Sequence, residues 1–133
     1  MYEVGLEKGF MAWHVMPDMD GPEGELHSHE YRLDVVVSRP QLDERGMVCD
    51  LDVLESALGE IVGVLADQNL EVIKPPDAAA VTVEILAQWA HRELAARLAT
   101  HLVTEPASDI DLSVRVWESP VAFGGYSAPI KSS

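Results

Sequence analysis

Along residues 27–37 the side chains alternate with a period of two. His27, His29, Tyr31, Leu33, Val35 and Val37 share one parity, and Ser28, Glu30, Arg32 and Asp34 share the other. A β-strand points successive side chains to opposite faces, so this segment has one largely apolar face and one polar face. Such a strand belongs in a sheet that is covered on one side and wet on the other. The spacing predicts a strand from about Leu26 to Ser38, stopped by Pro40.

The rest of the chain supplies the cover. Residues 3–15 also alternate, with Val4, Leu6, Lys8, Phe10, Ala12 and His14 on one parity, which predicts a strand before the loop "PDMDGPEGE". The segment "RPQLDERGMVCD" predicts a turn returning into a short strand at Met47–Cys49. A first helix opens at "DLDVLE". There Asp52 and Glu55 have capping-box spacing, and Leu51, Leu54, Leu58, Ile61 and Leu65 follow at helical intervals. After "EVIKPPDAAA", a second helix is expected over Val83–Leu98. Its core side is Leu86, Ala90, Leu94 and Leu98, with Thr82 as N-cap and Glu84 in the first turn. A strand "DLSVRVWES" and a short one near "AFGGYS" close the chain.

The order β-β-α-α-β-β, with no repeat, linker or low-complexity tract, predicts one α+β domain over residues 1–133. Its two helices would cover one face of an antiparallel sheet. At this length a core forms without disulfide or metal staples. A single cysteine, Cys49, excludes an internal disulfide framework and fits a reducing cytosol. With no basic-then-apolar leader and no apolar run of membrane-spanning length, the expected location is cytoplasmic. The net charge of −14, from 23 acidic and 9 basic residues, argues against nucleic acid as a partner. It also weighs against a polyphosphate ligand unless Lys8, Arg32 or Lys74 gather locally.

His27 and His29 fall on the face that Leu33, Val35 and Val37 bury, and His14 ends the inward row of Phe10 and Ala12. Burying three imidazoles unpaired costs on the order of 1–3 kcal/mol each. Each ring can bond a backbone carbonyl in the core. Alternatively, all three can share one metal ion, and H-x-H on a strand with a third histidine of matched parity favours the ion. Three neutral histidine nitrogens are a common zinc set that leaves a fourth position for water or substrate. His91 and His101, on or just past the second helix, read as surface or boundary residues. Glu118 ends the inward row of Leu112, Val114 and Val116. Either the strand has reached solvent there, or its carboxylate accepts two hydrogen bonds from an amidine- or guanidine-like ligand edge.

Five fragments in order, "FMAWH" (10–14), "ELHSHEY" (25–31), "GMVCDLDVL" (46–54), "VTVEILAQW" (81–89) and "WES" (117–119), resemble the 6-pyruvoyltetrahydropterin synthase and 6-carboxytetrahydropterin synthase family. The resemblance implies a tunnelling fold, whose subunits join their sheets into a β-barrel, usually as trimers stacked into a homohexamer. It implies Zn2+ held by His14, His27 and His29. A pterin ring would be anchored by Glu118, with Thr82 helping to seat it.

The chain departs from the family at both proton-transfer groups. The family's catalytic cysteine lies four residues before the first histidine of its H-G-H motif, where this chain has Glu23. The family's Leu-Asp-His run is here "LADQNLE", which puts Ala66 under the aspartate and Asp67 under the histidine. Ordinary pyruvoyltetrahydropterin synthesis is therefore not expected. Family members with glutamate at this position, in a setting similar to "PEGELH", cleave the side chain of dihydroneopterin triphosphate to 6-hydroxymethyldihydropterin. The resemblance implies that chemistry here, with Glu23 and Asp67 as the candidate catalytic residues. Two readings remain beside it: synthesis of 6-carboxytetrahydropterin, and a pterin- or purine-binding homologue without the family's chemistry.

Overall fold

The computed structural model describes residues 1–102 and 109–131. Its elements are β1 (Tyr2–His14), β2 (His27–Arg39), α1 (Leu51–Leu65), α2 (Val83–Leu102), β3 (Asp111–Ser119) and β4 (Ala122–Pro129). The strands form one antiparallel sheet in the order β1-β2-β3-β4. Both helices lie in sequence between β2 and β3 and pack on one face of the sheet, α1 against β1 and α2 against β3 and β4. This is the predicted α+β architecture. No described helix is long and apolar enough to cross a membrane.

The alternation that predicts β2 is what the sheet uses. Leu33, Val35 and Val37 are fully buried, as are Leu112, Val114 and Val116 across the β2–β3 pairing. Against them α1 sets Leu54, Leu58, Ile61 and Leu65, and α2 sets Leu86, Ala90, Leu94 and Leu98. Each buried aliphatic side chain of this size contributes roughly 1.5–3 kcal/mol, which orders the sheet end that carries the histidines.

The structure corrects several local expectations. Val48 and Cys49 are buried but join no strand, because Met47–Cys49 lies in a loop that closes on itself. Asp43 Oδ1 accepts from the Arg45 and Met47 amides, at 2.9 Å each, around Gly46 at φ 77°. Asp50, rather than Asp52, caps α1, its carboxylate accepting from the Asp52 amide at 2.9 Å. Helix α2 runs one turn beyond Leu98, and Thr82 does cap it, its hydroxyl accepting from the Ile85 amide at 3.2 Å.

His91 is a further correction. It is buried rather than at the surface, with Nε2 3.1 Å from the Ala128 carbonyl and its ring edge-on to Tyr126. His101 is exposed, as expected.

Beyond α1, Asp67 adopts a left-handed conformation (φ 61°), which turns the chain back along the edge of β1. The Asp67 amide donates to the Met11 carbonyl (2.7 Å), and the Trp13 amide donates to the Gln68 carbonyl (2.9 Å). In β3 the register with β4 passes from Trp117–Phe123 to Ser119–Ala122, so Glu118 is an extra residue at a bulge.

Candidate metal centre

The β1–β2 register sets His14 directly opposite His27 and Ala12 opposite His29. All three imidazoles therefore point to the helix-covered face at one end of the sheet. Their ring centroids lie 4.4 Å (His14–His27), 5.1 Å (His14–His29) and 4.8 Å (His27–His29) apart. The loop between the strands adds a fourth donor. A 3-10 turn over Gly21–Gly24 carries Glu23, whose Oε2 lies 3.4 Å from His27 Nε2. One ligand atom from each of His14, Glu23, His27 and His29 can be chosen so that all four lie within 4.8 Å of one another.

Two observations show that this group suits a cation. First, both ring nitrogens of His14 are buried without a hydrogen-bond partner among the described residues. Orphaned polar atoms of this kind are rare and mark an unmet ligand. Burial, and then the neighbouring His27 and His29, hold the His14 imidazole below its ordinary value. The Val81 backbone and Glu23 oppose this in smaller measure, although neither nitrogen reaches hydrogen-bonding geometry with them. Second, His27 Nδ1 lies 2.7 Å from the Glu25 carbonyl, which can only accept, so Nδ1 carries the proton. The Nε2 of the neutral ring is then a lone pair aimed into the group. A backbone carbonyl orienting a ligating imidazole is a familiar outer contact of metal sites.

Two of the spacings, both to His27, also fit. Ligands at about 2.0–2.1 Å in a tetrahedron lie about 3.3–3.4 Å apart. His27 Nε2 is 3.1 Å from His29 Nε2 and 3.4 Å from Glu23 Oε2. The nitrogen-and-carboxylate donor set matches zinc chemistry.

Tyr31, which sequence reasoning treated only as part of the inward row, forms the floor of the site. It is buried, stacked on Phe10 (5.4 Å) and edge-on to His29 (5.5 Å) and His14 (6.3 Å). Its phenol is pushed well above the ordinary range, first by burial and then by the charges of Glu118 and Glu23. The signal for it was its position, one more residue along the H-x-H parity.

The remaining candidates stand at different distances from the group. Half-buried Glu118 lies near enough to Tyr31 for its charge to be felt there. Thr82 follows Val81, whose backbone lies beside His14. Asp67 is exposed and outside the four-residue group, and among the described residues its carboxylate makes no hydrogen bond or ion pair.

A helix-backed antiparallel sheet with three histidines and a carboxylate converging at the end of two neighbouring strands defines an α+β protein with a metal-competent site. The chain belongs to the 6-pyruvoyl tetrahydropterin synthase family, whose sequence profile matches residues 3–129. Its fold is similar to that of the 6-pyruvoyl tetrahydropterin synthase of Plasmodium falciparum, at 15% identity and TM-score 0.74, covering 97% of this chain and 98% of that one. The Caenorhabditis elegans enzyme of the same name matches at 19% identity and TM-score 0.64, covering 96% and 97%. A Plasmodium vivax 6-pyruvoyltetrahydropterin synthase, described as a mutant in which a catalytic glutamate is replaced by alanine, matches at 15% identity and TM-score 0.71, covering 97% and 98%. No curated protein matches the sequence.

Proposed function

We propose that this protein is a zinc-dependent lyase acting on the side chain of dihydroneopterin triphosphate or a related pterin, with Glu23 in the role that cysteine plays elsewhere in the family. The observation that carries the reading is the convergence of His14, His27 and His29 with Glu23, one carboxylate oxygen 3.4 Å from an imidazole nitrogen. The catalytic glutamate named for the Plasmodium vivax protein supports giving a carboxylate that part in this fold.

His14, His27 and His29 would hold the ion. A zinc ion bound there supplies Lewis-acid polarisation of an oxygen on the substrate's side chain. Glu23 would accept the proton of the hydroxyl on the second side-chain carbon, so that the bond between the first and second carbons breaks in retro-aldol fashion; the outer fragment leaves as an aldehyde, and the electron pair, held in the conjugated ring, takes up a proton at the first carbon to give the hydroxymethyl group. Glu118 accepts two hydrogen bonds from the aminopyrimidinone edge of the pterin. Thr82 keeps its hydroxyl proton for the ring, because its oxygen accepts from Ile85. Buried Tyr31 stays protonated beneath the site and excludes water. Asp67 lies outside the group in a single chain, so its part as the second proton-transfer residue rests on the segment match alone.

Among the described residues, β4 and the part of β1 before Met11 each keep an unpaired edge, which would allow copies to join their sheets into a barrel, as trimers stacked into a homohexamer. Cys49 is free and buried, in keeping with a reducing cytoplasm.

The test is product analysis by mass spectrometry after incubating zinc-loaded protein with dihydroneopterin triphosphate. A 6-hydroxymethyldihydropterin product supports the lyase, a carboxy product replaces it with the 6-carboxytetrahydropterin reading, and no product leaves a binding protein. At saturating zinc, Glu23→Ala is expected to retain the metal and lose turnover.

A further inference from the structure

Glu23 stands where a base is needed, yet its carboxylate is aimed at the donor group itself. His27 Nδ1 donates to the Glu25 carbonyl at 2.7 Å, which leaves Nε2 as the ring's ligating nitrogen, and Glu23 Oε2 lies 3.4 Å from it. That separation is the one two ligands of a single tetrahedral ion would have. Glu23 also lies close enough to His14 for its charge to be felt by that ring. The geometry thus points to Glu23 as the fourth protein ligand of the resting metal centre, a ligand that withdraws when a substrate side chain enters and is thereby delivered beside it as the base. This rests on the metal-site reading above and deepens it.

The loop is built for a fixed backbone and a movable side chain. The Glu23 carbonyl accepts from the Met16 amide at 2.9 Å, and the Glu25 amide donates to Pro22 at 3.2 Å. Gly21 is in a positive-φ conformation (78°), and a Cβ on Gly24 would strike the Met19 carbonyl, so this turn requires glycine at both positions. By contrast the Glu23 side chain is half exposed, and among the described residues the one side chain it approaches is His27. Moving the carboxylate between the ion and solvent takes rotations about side-chain bonds only. A carboxylate held on the ion is also kept from reacting before substrate arrives.

The experiment uses the full chain, stripped of metal and reloaded, at one fixed pH. Zinc affinity is measured by competition with a chromophoric chelator, and the coordination sphere is read from the visible absorption of the Co2+-loaded protein. Glu23→Gln and Glu23→Ala are each expected to weaken zinc binding about tenfold or more, and to alter the Co2+ spectrum. Both variants should keep the circular dichroism and melting temperature of the metal-free wild type. Adding neopterin, a stable pterin with a hydroxylated side chain, should bring the wild-type and Glu23→Gln spectra together, because the carboxylate has then left in one and is missing in the other. Wild-type affinity and an unchanged spectrum in both variants would overturn this inference while leaving the three-histidine site intact. Spectra that stay apart with neopterin bound would overturn the withdrawal. A wild type that takes up no metal would overturn the metal-site reading itself.

Discussion

His14 and His27 are direct cross-strand partners, their ring centroids 4.4 Å apart, and only one of them has its hydrogen bonding arranged. His27 is oriented by the Glu25 carbonyl, whereas among the described residues neither nitrogen of His14 has a partner. A cation shared by the pair would satisfy the His14 ring. His14→Leu should leave the metal-free protein as stable or raise its stability by about 1–3 kcal/mol, since an orphaned buried polar group is removed. Zinc is expected to raise the melting temperature of the wild type, and the same change should abolish that rise. Thermal melts with excess zinc and with EDTA check both halves.

The metal-free protein should also lose stability as the solution is acidified. Burial, followed by His27 and His29, lowers the His14 value below the 6.5 of a free imidazole. The unfolded chain therefore takes up a proton first, near 6.5, and the folded chain only further down. The contribution is complete above 6.5 and is lost as pH falls through the lower, folded value. Urea midpoints in EDTA between about pH 8 and 5 should fall through that window, and His14→Leu should flatten the slope.

Glu118 sits at the β3 bulge with its charge felt at Tyr31. Glu118→Gln should weaken pterin binding by about 1.5–3 kcal/mol, the range for a hydrogen bond to a charged group. Titration of neopterin fluorescence measures it, and unchanged affinity would place the ring elsewhere.

Gly124 on β4 faces the start of α2. A Cβ there would lie 2.6 Å from Val83 Cγ2 and 3.2 Å from the Glu84 amide. Gly124→Ala should cost about 1–3 kcal/mol, read as a lower urea midpoint, because a β-branched side chain and helix backbone must both give way. It should also weaken pterin binding, since Thr82 moves with that helix end.

Asparagine tolerates the left-handed backbone that Asp67 occupies. Asp67→Asn should therefore change stability by under about 0.5 kcal/mol while removing the carboxylate. If turnover with dihydroneopterin triphosphate were unaffected, Asp67 would have no part in proton transfer.

The long strands and the histidine cluster were legible because a period of two carries both facts at once. The parity that buries Leu33 and Val35 also aims His27 and His29. Helix α2 was legible to its cap, as Thr82 uses its hydroxyl in the way the sequence implied. Met47–Cys49 misled because Val48 and Cys49 are buried, and burial alone does not distinguish a paired strand from a loop folded inward. His91 misled because its acceptor, the Ala128 carbonyl, lies 37 residues away in sequence. Glu118 kept two readings because a bulge interrupts the alternation at that residue. The tilt of Glu23 toward His27 was out of reach, since it depends on a glycine-framed turn whose shape no periodicity encodes.

The return of the chain at Asp67 and Gln68 has a consequence for assembly. By engaging the Met11 carbonyl and the Trp13 amide, that segment uses up the outward backbone groups at the last third of β1. A neighbouring copy that adds its strand to this side can form its ladder only with residues earlier than Met11. In such an assembly the stagger would be limited from within one chain, and the histidine end of the strand would project past the joint.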